Sequence, residues 1–233
     1  MRIKISKKYW KTDLLNLFPL AGNIYDRIIN GKRSISIYTG LYTMLSLRER
    51  ELLFDLAKRY SREGNILEIG CYAGGSTYFL AKGAAINNSK VFSIDPFGSD
   101  LKKQKIQGDS TSYLKNLKNK PGMKEVEKRL MDKGIEKKTF CLIEGYSKDI
   151  SRKWKSENIS FLWIDGNHKE AYRDFINWKG KLTKEAVVAF HDSDYPYLGK
   201  KEVTLSVKKI CKKKLATFLC KRDSITVLKV KGS

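Results

Sequence analysis

The stretch Asn65-Ile-Leu-Glu-Ile-Gly70-Cys-Tyr-Ala-Gly-Gly75-Ser-Thr-Tyr-Phe-Leu-Ala81 decides the fold, together with Val91-Phe-Ser-Ile-Asp95-Pro-Phe97 a few residues later. The apolar run Ile66–Ile69 is too short for a helix and reads as a buried strand. Gly70, Gly74 and Gly75 let the chain turn tightly and approach a ligand. An amphipathic run then begins near Ser76, with Phe79, Leu80 and Ala84 on one face, so a helix starts there. The second strand ends on Asp95, twenty positions after Gly75. Strand, glycine turn, helix, strand and acid is the arrangement of nucleotide-binding α/β folds, with the acid placed to bond ribose hydroxyls.

The glycine spacing narrows the ligand. A dinucleotide fingerprint is G-x-G-x-x-G, which sets a pyrophosphate against a helix N-terminus. Here the spacing is Gly70-x-x-x-Gly74-Gly75, with Glu68 two residues before the first glycine. An acid there repels a pyrophosphate and suits a ligand with an ammonium group, a ribose and no phosphate. S-adenosylmethionine meets that description.

At these residues the chain resembles the class I, Rossmann-like methyltransferases. Glu68-Ile-Gly70-Cys-Tyr-Ala-Gly74-Gly75-Ser76 is similar to their first motif, and Ser93-Ile-Asp95-Pro-Phe97 to their second. The resemblance implies cofactor contacts from Glu68, Gly70, Cys71, Tyr72, Gly74 and Ser76. Glu68 would hold the methionine ammonium end, Asp95 the ribose and Phe97 a face of the adenine. Gly145 and Ser147, after the third strand, would complete the adenine site, and Asp165, after the fourth, would be a further cofactor contact.

Outward from this stretch, Ser46-Leu-Arg-Glu49 is a capping box that opens a helix over Leu52, Leu53, Leu56, Ala57 and Tyr60. Thr139–Glu144, Ser160–Asp165 and Ala186–His191 read as the third, fourth and fifth strands. Helical spacing precedes the third strand at 122–134, separates the fourth from the fifth at 170–180, and recurs at Val203, Val207 and Ile210. Leu215–Cys220 and Ile225–Val230 are too close for a helical crossover and form an antiparallel hairpin. The expectation is an α/β fold: a seven-stranded Rossmann-like methyltransferase sheet, helices on both faces and a C-terminal antiparallel hairpin. Residues 46–233 would form the methyltransferase domain. Residues 1–45 would be an N-terminal extension acting as a cap, a dimer contact or a membrane-surface contact.

The strand ends supply the chemistry, because ligands of open α/β sheets bind beyond the carboxyl ends of the strands. The fourth strand ends in Asp165-Gly-Asn-His168 and the fifth in His191-Asp192-Ser-Asp194. His168 and His191 are the chain's two histidines, and both fall on this rim. Histidine titrates near neutral pH, which makes His168 the candidate general base with Asp165 beside it. Asp165, His191 and Asp192 form a candidate set for a divalent cation such as Mg²⁺. The segments Phe161–His168 and Val187–Asp192 resemble the small-molecule O-methyltransferases that act on macrolide sugars, antibiotics and glycans. Many of these use Mg²⁺ to orient substrate oxygens. Two departures stand out. His191-Asp192 replaces a pair of acids, and Asn167 stands where an acid is common, so metal dependence stays open and His168 is the better base.

Composition bounds the rest. The chain has 233 residues and 41% hydrophobic content, enough for a sizeable core. No apolar run reaches the length of a membrane span and no secretory signal pattern appears at the start, so the expected location is cytoplasmic, with peripheral membrane association open. Cys71, Cys141, Cys211 and Cys220 lack metal-site spacing and read as reduced thiols. The net charge of +22 implies attraction to an anionic membrane surface or another polyanion. A small-molecule or glycan acceptor and a homodimer complete the expected partners. Nucleic-acid methylation is the alternative suggested by charge, although no N/D-P-P-Y-type motif follows the fourth strand. A non-catalytic S-adenosylmethionine-binding or membrane-associated scaffold is the other alternative.

Overall fold

The computed structural model describes residues 19–30, 35–97, 120–155 and 158–231. Part of the N-terminal extension, including Tyr9 and Trp10, lies outside them, as do Tyr113, Leu114 and Leu117, whose spacing in the sequence is helical. In chain order the elements are α1 (Pro19–Asn30), α2 (Leu47–Tyr60), β1 (Asn65–Ile69), α3 (Gly75–Ala85), β2 (Val91–Asp95) and α4 (Met123–Asp132). There follow β3 (Phe140–Glu144), α5 (Ser147–Lys153), β4 (Ile159–Ile164), α6 (Ala171–Lys179), β5 (Leu182–Phe190), α7 (Lys201–Lys212), β6 (Ala216–Arg222) and β7 (Ile225–Val230). The seven strands form one sheet in the order β3-β2-β1-β4-β5-β7-β6. The first five are parallel, and β7 runs antiparallel to both β5 and β6.

The alternation of a strand sorts its side chains onto two faces. In β4, Phe161 and Trp163 point into a core shared with α2, α3 and α4, while Leu162 and Ile164 join a second core under α6 and α7. All six residues of β4 are buried. Strands covered by helices on both faces read as continuous apolar runs for this reason.

The capping box is present in full. The Ser46 hydroxyl accepts from Glu49 N at 3.2 Å, and Ser46 N donates to a Glu49 carboxylate oxygen at 2.8 Å. The expected one-faced α3 is instead buried almost all round, because α2 covers the face that the sheet leaves open. Gly83 permits that crossing: a Cβ there would lie 2.5 Å from Ala57 Cβ and 2.7 Å from Phe54 O.

Packing does not stop at residue 45. Ile37, Tyr38, Leu41 and Leu45 are buried, and Leu41 and Leu45 belong to the α2–α4 core. The fully buried Arg50 guanidinium donates to Leu45 O at 3.0 Å and Ile37 O at 2.9 Å, fastening this segment to α2. Asn23 of α1 in turn accepts from Ile37 N and donates to Tyr38 O.

Gly83 gives a test of the α2–α3 contact. Alanine at this position gains about 1 kcal/mol of helix propensity. It also forces backbone apart, at a cost of about 1–3 kcal/mol. Gly83→Ala is therefore expected to lower the urea midpoint; a raised midpoint would show that α2 yields freely.

Candidate active site

The sheet order reverses between β1 and β4, and a crevice opens beyond their carboxyl ends at such a switch point. Gly70 forms its floor. With φ +94°, it lies so close to β4 that a Cβ would sit 2.3 Å from Asp165 O. Gly74, at φ +85°, is the N-cap of α3 with no side-chain cap. Tyr72, Phe97 and Asp192 also have φ near +50° at the ends of their strands, conformations that cost energy in non-glycine residues.

Asp95 organises the turn. One carboxylate oxygen accepts from Cys71 N at 3.1 Å and Tyr72 N at 2.9 Å. The other accepts from Phe97 N at 2.6 Å and pairs with the Lys120 ammonium at 2.5 Å. Gly145 N donates to Asp95 O at 3.0 Å, tying the end of β3 to the same point. Lys120 is one of many lysines in the sequence and has no distinguishing pattern around it.

Five expected cofactor contacts have side chains engaged within the fold. Glu68 is fully buried, and its carboxylate accepts from Ser76 Oγ at 2.5 Å, Thr77 Oγ1 at 2.6 Å and Ser93 Oγ at 2.6 Å. Glu68 and Ser76 thus bind each other across the start of α3. Phe97 is 1% exposed and packs into the α2–α4 core. The Ser147 hydroxyl accepts from Trp178 Nε1 at 2.9 Å and bonds Asp174, joining α5 to α6. Cys71 is buried with its sulfur 3.2 Å from Thr77 Oγ1, and burial pushes its thiol well above the ordinary value. All four cysteines are free.

The histidine side of the rim is brought together. Asn167 accepts from Lys169 N at 3.1 Å and caps the turn that presents His168. His168 Nε2 lies 3.0 Å from Asp192 Oδ2, with His168 37% exposed. Burial alone would raise the Asp192 carboxyl, but its bond with His168 and the charges of His191, His168 and Lys200 hold it below the ordinary range. Asp192 can accept from His168 Nε2, and in the neutral tautomer that donates there Nδ1 is the acceptor nitrogen.

His191 is sealed behind this pair. Its Nδ1 lies 2.9 Å from Asp165 Oδ1, and its Nε2 lies 3.7 Å from Glu49 Oε2. Burial works to lower its pKa, but Asp165, Glu49 and Asp192 outweigh burial and hold it well above the ordinary value. Glu49 also accepts from Ser224 N and Oγ, which pins the β6–β7 turn to the start of α2. The sequence showed Glu49 only as a cap, because its other partners lie more than 140 residues away. Asp165, His191 and Asp192 offer ligand atoms within 4.8 Å of one another, as a cation site requires. Asp165 and both ring nitrogens of His191 face other groups of the cluster, and Asp192 Oδ2 is bonded to His168. The donor types suit a divalent cation, and in this structure Asp165 Oδ1 bonds His191 while Asp192 Oδ2 bonds His168.

A doubly wound sheet with a glycine turn, a ribose-type acid and an acid–histidine rim at its switch point is the frame of a nucleotide-cofactor-binding protein. The chain matches the family described as "Methyltransferase domain" over residues 67–193, just over half its length, and it belongs to that family. Solved structures share the fold. The O-methyltransferase NovP is 15% identical, with a TM-score of 0.66 over 97% of this chain and 100% of NovP. Cofactor-bound Rv0187 from MTB is 14% identical, with a TM-score of 0.63 over 92% and 98%. TomG from Streptomyces achromogenes, an O-methyltransferase of tomaymycin synthesis solved with S-adenosylmethionine, is 16% identical, with a TM-score of 0.59 over 98% and 100%. Among the described residues no helix is long and apolar enough to cross a membrane.

The Glu68 cage makes stability depend on pH. Burial raises its carboxyl from 4.5 to about 7, against the pull of the three hydroxyls. The folded state therefore holds a proton that the unfolded chain releases above about pH 4.5. That contribution is complete below 4.5 and is lost as pH rises through about 7. Between pH 5 and 8, wild type is expected to lose about 2–3 kcal/mol relative to Glu68→Gln in urea unfolding. Parallel pH profiles would refute this.

Proposed function

We propose that the chain is an S-adenosylmethionine-dependent O-methyltransferase that uses His168 as general base on a hydroxyl of a small molecule or glycan. The observation that carries this reading is the 3.0 Å His168–Asp192 pair at the end of the cofactor crevice. The fit of the cofactor is supported by Asp95, which already gathers donors at the end of β2. Ribose hydroxyls would take the place of the Lys120 ammonium on its outer oxygen. Glu68 is sealed, so the methionine ammonium end is assigned to Asp165, which is 23% exposed, and to the backbone of the Gly70–Gly74 turn.

S-adenosylmethionine supplies a methyl group on a sulfonium that leaves without protonation. The protein's task is to align the acceptor and remove one proton. His168 Nδ1 accepts the hydroxyl proton as the oxygen attacks. Asp192, already bonded through Nε2–H, holds the ring and stabilises the imidazolium that forms. His191 stays bonded to Asp165 and keeps that carboxylate in place. No step is assigned to a metal; Asp165, His191 and Asp192 are the residues that would hold a divalent cation, which would act as a Lewis acid on the acceptor oxygen. NovP and TomG, named as O-methyltransferases, support oxygen as the acceptor atom.

Transfer from methyl-tritiated S-adenosylmethionine to a panel of phenols and sugars tests this. His168→Ala is expected to reduce transfer at least about a hundredfold. Asp192→Asn is expected to lower kcat more than it changes KM, while a chelator leaves the rate within about twofold. Loss of activity with chelator and recovery with Mg²⁺ would overturn the metal-free account. Full activity in His168→Ala would remove the base.

A further inference from the structure

The loop after β5 is a fastened knob with an apolar tip. Lys200 N donates to Asp192 O at 2.7 Å, Tyr197 N to Asp194 O at 2.8 Å, and Tyr195 N to Thr204 Oγ1 at 3.0 Å. Gly199 packs so tightly that a Cβ would sit 2.1 Å from Asp194 N. Even so, Tyr197 is 82% exposed, Leu198 56% and Tyr195 49%. Large apolar side chains held in water by an ordered backbone, one turn from the catalytic rim, mark an interaction surface.

The surroundings are basic. Lys200 and Lys201 follow the knob directly, and Lys169 follows His168 in the chain. All three are exposed, and none forms an ion pair with a described residue. On α7, the exposed Leu205 lies one turn after Lys201, with Lys208 and Lys212 on the same helical face.

We propose that this knob and the lysines beside it seat the mouth of the site on an anionic lipid surface. The tyrosine rings and Leu198 would lie at the boundary between headgroups and acyl chains, and the lysines against lipid phosphates. The proposal rests on the methyl-transfer reading and deepens it: the acceptor hydroxyl is presented at a membrane surface. Charge and side-chain type favour this occupant over others. Two copies of a chain with net charge +22 repel each other. An acidic glycan offers little apolar surface to the aliphatic Leu198 and Leu205, and a nucleic acid receives such side chains only where its bases unstack.

The test is cosedimentation of the full chain with vesicles of phosphatidylcholine alone or mixed with phosphatidylglycerol. Calorimetric binding of S-adenosylmethionine is measured on the same samples. Wild type is expected to partition at least tenfold more strongly to the anionic vesicles. Tyr197→Ser combined with Leu198→Ser is expected to lose about tenfold of that partition, with cofactor affinity unchanged. No binding by wild type, equal binding to both vesicles, or wild-type binding by the double variant would overturn the proposal. So would self-association of wild type that the double variant loses in sedimentation velocity, which would assign the knob to a dimer. Absence of cofactor binding in wild type would sink the methyl-transfer reading separately, whatever the vesicles show.

Discussion

The Asp95 carboxylate is the constraint on which the site depends. It receives two amides from the turn after β1, one from its own loop and an ammonium from beyond β2. A buried carboxylate is stable only when its lone pairs are met by donors. Here the donors are the backbone of the glycine turn, so satisfying the acid also sets the shape of the turn. That shape requires Gly70 at φ +94° against β4, and the same contact places Asp165 at the crevice. Sheet order, turn and acid are therefore one arrangement.

The acids of the rim divide into two groups by burial. Glu68 and Glu49 are sealed and serve the fold: one locks β1, β2 and α3 through hydroxyls, the other joins α2, the β6–β7 turn and His191. Asp165 and Asp192 are partly open and face the crevice. Asp165, Glu49 and Asp192 around His191 push its pKa up, against the effect of burial. His168 stands outside this cluster with one ring nitrogen committed to Asp192 and the other available. The two histidines thus differ in role because they differ in burial.

Much of this was legible in the sequence. The apolar runs, the glycine turn, the capping box and the close spacing of the last two strands each have a local signature, and each is found where expected. Asp95, His168, His191 and Asp192 were legible as strand-end residues, because the fold places strand ends on one rim. Glu68 was misleading: an acid beside a glycine turn looks like a ligand contact, and only three-dimensional packing reveals the serine and threonine hydroxyls that enclose it. Phe97 and Ser147 were hidden for the same reason, since orientation toward the core or toward α6 leaves no periodic trace. Lys120 and the second role of Glu49 depend on partners distant in sequence. The Tyr197-Leu198 tip carries no motif, and its exposure emerges only once the backbone around it is fixed.

The most direct measurement is calorimetric titration of the protein with S-adenosylmethionine and, separately, with NAD. The account predicts one S-adenosylmethionine bound per chain, at least tenfold weaker binding in Asp95→Ala, and no binding of NAD. Binding of NAD without S-adenosylmethionine would contradict it.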